Sequence, residues 1–217
     1  MLSPLIISRR TALLALLPLA AQAQPLRRPP PTPNADVIQH RGFTMRVATP
    51  GPDRAALETA MKHQLDIVAD CGAKPEILAL WRTIPIALAP GDGEPGGNFK
   101  PGRGVEIYAA PIPPPENPVV LHELVHALHY RYVPQSNNNP DIERFYRIAV
   151  DNVLYPQGAY VLKNRNEFFA VTGSLYLWGK VAKPPHDRAT LFAKQPRYYE
   201  WLGELFGVKK KPQDAEG

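Results

Sequence analysis

Val119 to Tyr130 is an apolar run that carries two histidines four residues apart with a glutamate between them: Val-Val-Leu-His-Glu-Leu-Val-His-Ala-Leu-His-Tyr. On a helix, residues four apart share a face, so His122 and His126 can hold a single metal ion. Glu123 lies beside that face and can reach a water on the metal as general base. Asn117-Pro118 predicts where the helix begins, with Asn as N-cap and Pro at the first helical position. Val120, Leu121, Leu124, Val125 and Leu128 make the helix broadly apolar, the mark of a buried element. Two imidazoles and a carboxylate are costly to bury without partners, and a metal supplies one. The plain alternative is a core helix with two hydrogen-bonded histidines and a surface glutamate.

A catalytic zinc takes three protein ligands and leaves a fourth position open. The longer pattern H-E-x-x-H-x-x-G-x-x-H fails, because His129 stands at its glycine and Tyr132 at its last histidine. Three ligands from one straight helix would strain a tetrahedral site, so His129 reads as a residue supporting a ligand or as a surface group. Asp141, Glu143 and Asp151 fall on the polar side of a predicted helix over 141–150, where charge is solvated. Glu167 opens the apolar stretch Phe168–Trp178 and needs a partner there. It also suits a helix first turn, where the dipole favours a carboxylate. Glu167 is the expected third ligand.

With these residues in view, the sequence resembles the gluzincin metallopeptidases, zinc enzymes with H-E-x-x-H and a ligand Glu on a downstream helix. Within that group it is similar to the catalytic domain of the anthrax toxin lethal factor and related secreted peptidases. The likeness spans residues 117–178 and rests on the motif, on Asn166-Glu167, and on Gly158-Ala-Tyr-Val-Leu-Lys-Asn-Arg-Asn-Glu-Phe-Phe-Ala170. It implies one Zn2+ per chain held by His122, His126 and Glu167, with Glu123 as base. It further implies that Tyr160 donates a hydrogen bond to the oxyanion. The class presents an edge strand to extended peptides, which would give Val105–Ala109 a substrate-pairing role. Some gluzincins carry an Asp four residues after the ligand Glu; Val171 stands there, so support for the histidines is unassigned.

Three such ligands would lower the pKa of zinc-bound water to about 7. Glu123 would take its proton as the water attacks a carbonyl, then pass it to the departing amine. A tyrosine suits the hydrogen-bond donor to the developing oxyanion, a contact worth about 10²–10³ in rate. Tyr160 is the first choice for it and Tyr176 the second.

Residues 1–23 read as an export signal, with Arg9-Arg10 before an apolar core and Ala21-Gln-Ala23 as the cleavage site. Ser8-Arg-Arg-Thr-Ala-Leu13 approximates a twin-arginine signal, although Ala12 replaces the usual Phe. The core is too short to anchor in a bilayer, and no later segment reaches spanning length. The expected destination is the periplasm or the exterior. Loss of the signal takes the formal net charge from +5 to +3, which argues against a nucleic-acid surface. Cys71 is the one cysteine, so no intramolecular disulfide can form; it reads as a small buried apolar residue.

Residues 24–36 form a Pro-rich leader, 37–207 a single domain, and 208–217 a charged tail. Strands are expected at Phe43–Ala48, Ile84–Leu88 (with Pro85 marking a start or an edge) and Val105–Ala109. A mobile hairpin connection is expected over 90–104. Helices are expected over 53–69, capped by Asp53, and at about 141–153, 165–178 and 187–205. His40, His63 and His186 read as surface groups. The architecture expected is α+β and zincin-like: a small N-terminal mixed sheet with a helix, then a mainly helical half, with the metal site between. The function expected is an exported zinc-dependent metallopeptidase acting on a peptide or protein substrate. The alternative is a non-catalytic zincin-like binding protein of the cell envelope.

Overall fold

The computed structural model describes residues 36–47, 54–89 and 96–213. The export signal, the leader up to residue 35, the Asp53 cap and the end of the tail lie outside the described residues. Strands β1 (Asp36–His40), β2 (Phe43–Val47), β3 (Ile86–Ala89), β4 (Gly97–Lys100) and β5 (Gly104–Tyr108) form one sheet. Helices are α1 (Arg54–Asp70), α2 (Pro75–Arg82), α3 (Val119–Arg131), α4 (Pro140–Asp151), α5 (Arg165–Trp178), α6 (Arg188–Lys194) and α7 (Pro196–Phe206). The fold is α+β, with a mixed sheet first and a mainly helical second half.

Spatial strand order is β1-β2-β3-β5-β4, parallel at β2–β3 and β3–β5 and antiparallel at both ends. This corrects two expectations. Val105–Ala109 belongs to β5, whose backbone is already paired on both sides, so it has no free edge for a substrate. The edge on that side is β4, which lies inside the Gly- and Pro-rich segment expected to be a mobile connection. Because β3 and β5 are parallel, no simple hairpin can join them. The chain must travel back, and it uses that return to lay down β4. Pro85 does stand at a strand start, directly before β3.

α3 is buried on almost every side, as its composition requires. Asn117 does not cap it, however: the cap position is Pro118, with no side-chain hydrogen bond. Instead Gln64 from α1, fully buried, accepts from the Val120 N–H (3.3 Å) and donates to the Asn117 carbonyl (2.8 Å). From the far side of the helix, Trp81 of α2 donates its indole N–H to the Leu124 carbonyl at 2.8 Å. Both polar groups are buried with their partners, so they fix the position of α3 rather than weaken the core.

α5 packs along α3, and Gly173 sets their separation. A methyl there would meet Val125 Cγ1 at 3.0 Å and Phe206 at 3.2 Å. Phe145, Phe168, Tyr198 and Trp201 stack into an aromatic cluster on the outer side of α5, each fully buried ring contributing about 1.5–3 kcal/mol. The single helix expected over 187–205 is two. Pro196 drives Gln195 out of helical geometry (φ −141°, ψ 65°), since the residue before proline disfavours the α region. Cys71 is buried just past α1.

Candidate metal centre

His122 and His126 project from α3 toward the start of α5, where Glu167 comes to meet them. Their Nε2 atoms are 3.2 Å apart, and Glu167 Oε2 lies 3.3 Å from the first and 3.2 Å from the second. Four tetrahedral ligand positions about 2.0–2.1 Å from a zinc ion are separated by roughly 3.3 Å. The three atoms thus already have the edge lengths of one face of that tetrahedron, and the group could hold a metal ion. In a metal-free reading, two imidazole nitrogens and a carboxylate crowd one point with few protons to share among them.

Local structure explains how Glu167 gets there. Asn164 adopts extended backbone and its Oδ1 accepts from the N–H groups of Asn166 and Glu167, both at 2.9 Å. That makes Asn164 the N-cap of α5 and Glu167 its third residue, the position from which a glutamate can fold back to close a capping box. Here the carboxylate turns across to the histidines instead. Burial opposes its charge, but the hydrogen bonds from His122 and His126 outweigh that and hold the carboxyl well below the usual carboxylate range.

Glu123 is buried beside this group, with 5 % of its surface exposed. Burial raises its pKa, offset in part by the two histidines and by a hydrogen bond from the Phe99 N–H of β4. β4 can approach this closely because residue 97 is glycine. A Cβ there would stand 2.8 Å from the Glu106 carbonyl and 2.9 Å from Glu123 Cγ. Gly97→Ala is therefore expected to leave metal content unchanged while lowering kcat at least tenfold and costing about 1–3 kcal/mol of stability. Metal analysis, turnover and a melting curve on one preparation check this.

Tyr160 opens a short 3-10 turn, Tyr160–Leu162, just ahead of α5. Its ring centroid lies 6.4 Å from that of His122. Burial, the charge of Glu167 and the hydrogen bond with Glu167 push its pKa above the ordinary tyrosine value, so it stays an O–H donor at neutral pH. Tyr146 holds the turn in place by donating to the Leu162 carbonyl (3.1 Å), and Arg165 anchors the helix start to Glu143 (3.1 Å).

Other sequence candidates lie elsewhere. Tyr176 is buried and donates to the Val208 carbonyl at 2.7 Å, which removes it from the oxyanion role. His129 is not a surface group: it is 1 % exposed and its ring packs edge-on to Phe169. Burial lowers its pKa to about 4, so it is a neutral core residue. Asp141 and Glu143 are taken up by arginines, and Asp151 is exposed. His40 pairs with Asp66 at 2.7 Å, a partner brought from α1 by the fold.

Two hollows flank the group. The larger, about 280 Å³, is mainly polar and includes Asn98, Asn137 and Asn166 in its wall. Asn166 Oδ1 is buried there without a hydrogen-bond partner among the described residues. The smaller, about 120 Å³, is bounded by Val119, Val171, Ser174, Val181 and Lys183. Gly97, Glu123 and Tyr160 border both. Sequence reading missed Gly97, the Phe99 N–H, Asn164 and Lys183. Of these, only Asn164 carried a signal, the Asn-x-x-Glu spacing of a helix cap.

No protein-family model and no curated protein sequence matches the chain. Among solved structures it is similar to a Pro-Pro endopeptidase from Paenibacillus alvei, with a TM-score of 0.50 and 20% sequence identity. The likeness covers 75% of this chain and 97% of that one. At that identity it is the fold that the two proteins share; within it, His122, His126 and Glu167 form a group that could hold a metal ion.

Proposed function

We propose that the protein is an exported zinc metallopeptidase that hydrolyses peptide bonds. The observation that carries this reading is the triangle of His122 Nε2, His126 Nε2 and Glu167 Oε2, with sides of 3.2–3.3 Å, beside a buried Glu123. Bound zinc supplies a Lewis acid and brings water toward ionisation near neutral pH. The remaining tasks belong to side chains. Glu123, made more basic by burial, accepts the proton of the attacking water and returns it to the leaving amine. Tyr160, kept protonated, donates to the developing oxyanion. Apart from the Phe99 N–H, which Glu123 already accepts, the outer edge of β4 offers backbone groups to an extended peptide running past Gly97 and Phe99. Residues 1–23 support export. Among the described residues no helix is long and apolar enough to cross a membrane.

The test is cleavage of a random peptide library by the zinc-loaded chain beginning at Gln24. Cleavage is expected, abolished by a chelator and restored by added zinc. A fully zinc-loaded protein that cuts nothing in the library would refute the enzyme reading and leave a binding role.

A further inference from the structure

The smaller hollow has a feature that hydrolysis alone does not use. Lys183 is its one side chain of fixed positive charge among the described lining residues. The Lys183 ammonium lies 4.6 Å from the centre of the Tyr160 ring, and that of Lys163 lies 5.2 Å from it. Among the described residues, neither lysine forms an ion pair with a carboxylate. Two exposed cations therefore lie over the ring of the proposed catalytic tyrosine, neither of them taken up in an ion pair. Lys62 and Lys100, by contrast, each pair with an acid, Glu58 and Glu106.

Lys183 is also held in place by its backbone. It sits in a closed turn between α5 and α6 in which the Val181 N–H bonds the His186 carbonyl (2.9 Å) and the His186 N–H bonds the Lys183 carbonyl (3.2 Å). Lys180 and Asp187 pair across the base of the turn. Arg188, 1 % exposed, ties that base to the end of α5 through the carbonyls of Tyr176 (2.7 Å) and Leu177 (2.8 Å). A turn anchored by a buried guanidinium fixes the backbone from which Lys183 reaches the pocket.

We propose that Lys183 is a specificity-determining residue that binds a carboxylate of the substrate at the small pocket beside His122 and Tyr160. The inference rests on the metallopeptidase reading and names the substrate class: peptides with an acidic group on the side of the scissile bond that enters this pocket. Val119, Val171 and Val181 take the aliphatic part of the entering residue, and Ser174 adds a hydroxyl. A lysine recognises the carboxylate as a point charge, without the paired geometry an arginine demands. Two sources share that chemistry, an Asp or Glu side chain and the free C terminus of a peptide.

The test reads binding, not turnover. Zinc-loaded Glu123→Gln is titrated with hexapeptides in which Glu and Gln are exchanged at each position, each made with a free and an amidated C terminus. At one position, or at the free terminus, the carboxylate form is expected to bind about fivefold tighter than its amide. That preference is expected to vanish with Lys183→Gln and to survive Lys183→Arg. A Glu preference that persists with amidated ends assigns the side chain; a preference for the free end alone assigns the terminus. Equal binding of acid and amide forms throughout overturns the proposal, as does no measurable binding or a preference that outlives Lys183→Gln. If Lys183 only props Tyr160, its loss lowers turnover of all substrates alike with no change in acid preference, which also overturns it. Failure of the wild type to cleave any peptide would count against the hydrolase reading and leave the binding result standing.

Discussion

Glu123→Gln is expected to keep one zinc per chain, a native melting profile and peptide binding, while kcat falls by about 10²–10⁴. The substitution preserves side-chain volume in a site that is 5 % exposed, so no cavity opens. The new amide oxygen can still accept from the Phe99 N–H that serves the carboxylate. What disappears is the ability to take a proton, the one property assigned to this residue. The three metal-facing atoms belong to other side chains, so metal content separates loss of the base from loss of the site. Turnover within a few-fold of wild type would remove Glu123 from the mechanism.

Glu167→Ala is expected to lower zinc affinity by more than the about 10–100-fold typical of losing a group that merely supports a ligand, and to abolish activity with it. The helix itself should survive, because its cap is Asn164 and not Glu167. The variant leaves His122 and His126 without the carboxylate that now lies 3.2–3.3 Å from both. Competition with a chromogenic chelator measures the affinity, and circular dichroism checks the fold. Full zinc retention in the variant would place the metal elsewhere.

These expectations were reachable from sequence to different degrees, for physical reasons. His122, Glu123 and His126 lie within one helical turn and a bit, and a local motif read against an apolar run was enough to find them. Glu167 is forty-one residues beyond His126; its cost of burial in an apolar helix pointed to it without saying where its partner was. The bounds of α5 followed from the same run, closed by Gly179. The sheet was less legible. β4 sits in a stretch of glycines whose composition suggests a turn, and its strand character comes from pairing with β5 and packing on α3. The cap of α3 misled because Asn117 is a good cap by propensity, whereas the structure uses Gln64, more than fifty residues earlier in the chain. His129 misled in the opposite direction. By spacing it read as a residue supporting a ligand or as a surface group, but α3 turns it toward Phe169 and the core. Lys183 gave no signal, since only the closed turn after α5 brings it over Tyr160.

Zinc K-edge X-ray absorption on the purified, zinc-loaded chain tests the central claim most directly. The account predicts one zinc with two imidazole nitrogens and a carboxylate oxygen at about 2.0–2.2 Å, and a fourth light-atom position that exogenous ligand can exchange. A bound zinc whose shell lacks two imidazoles, or one with all four positions filled by protein, would contradict it.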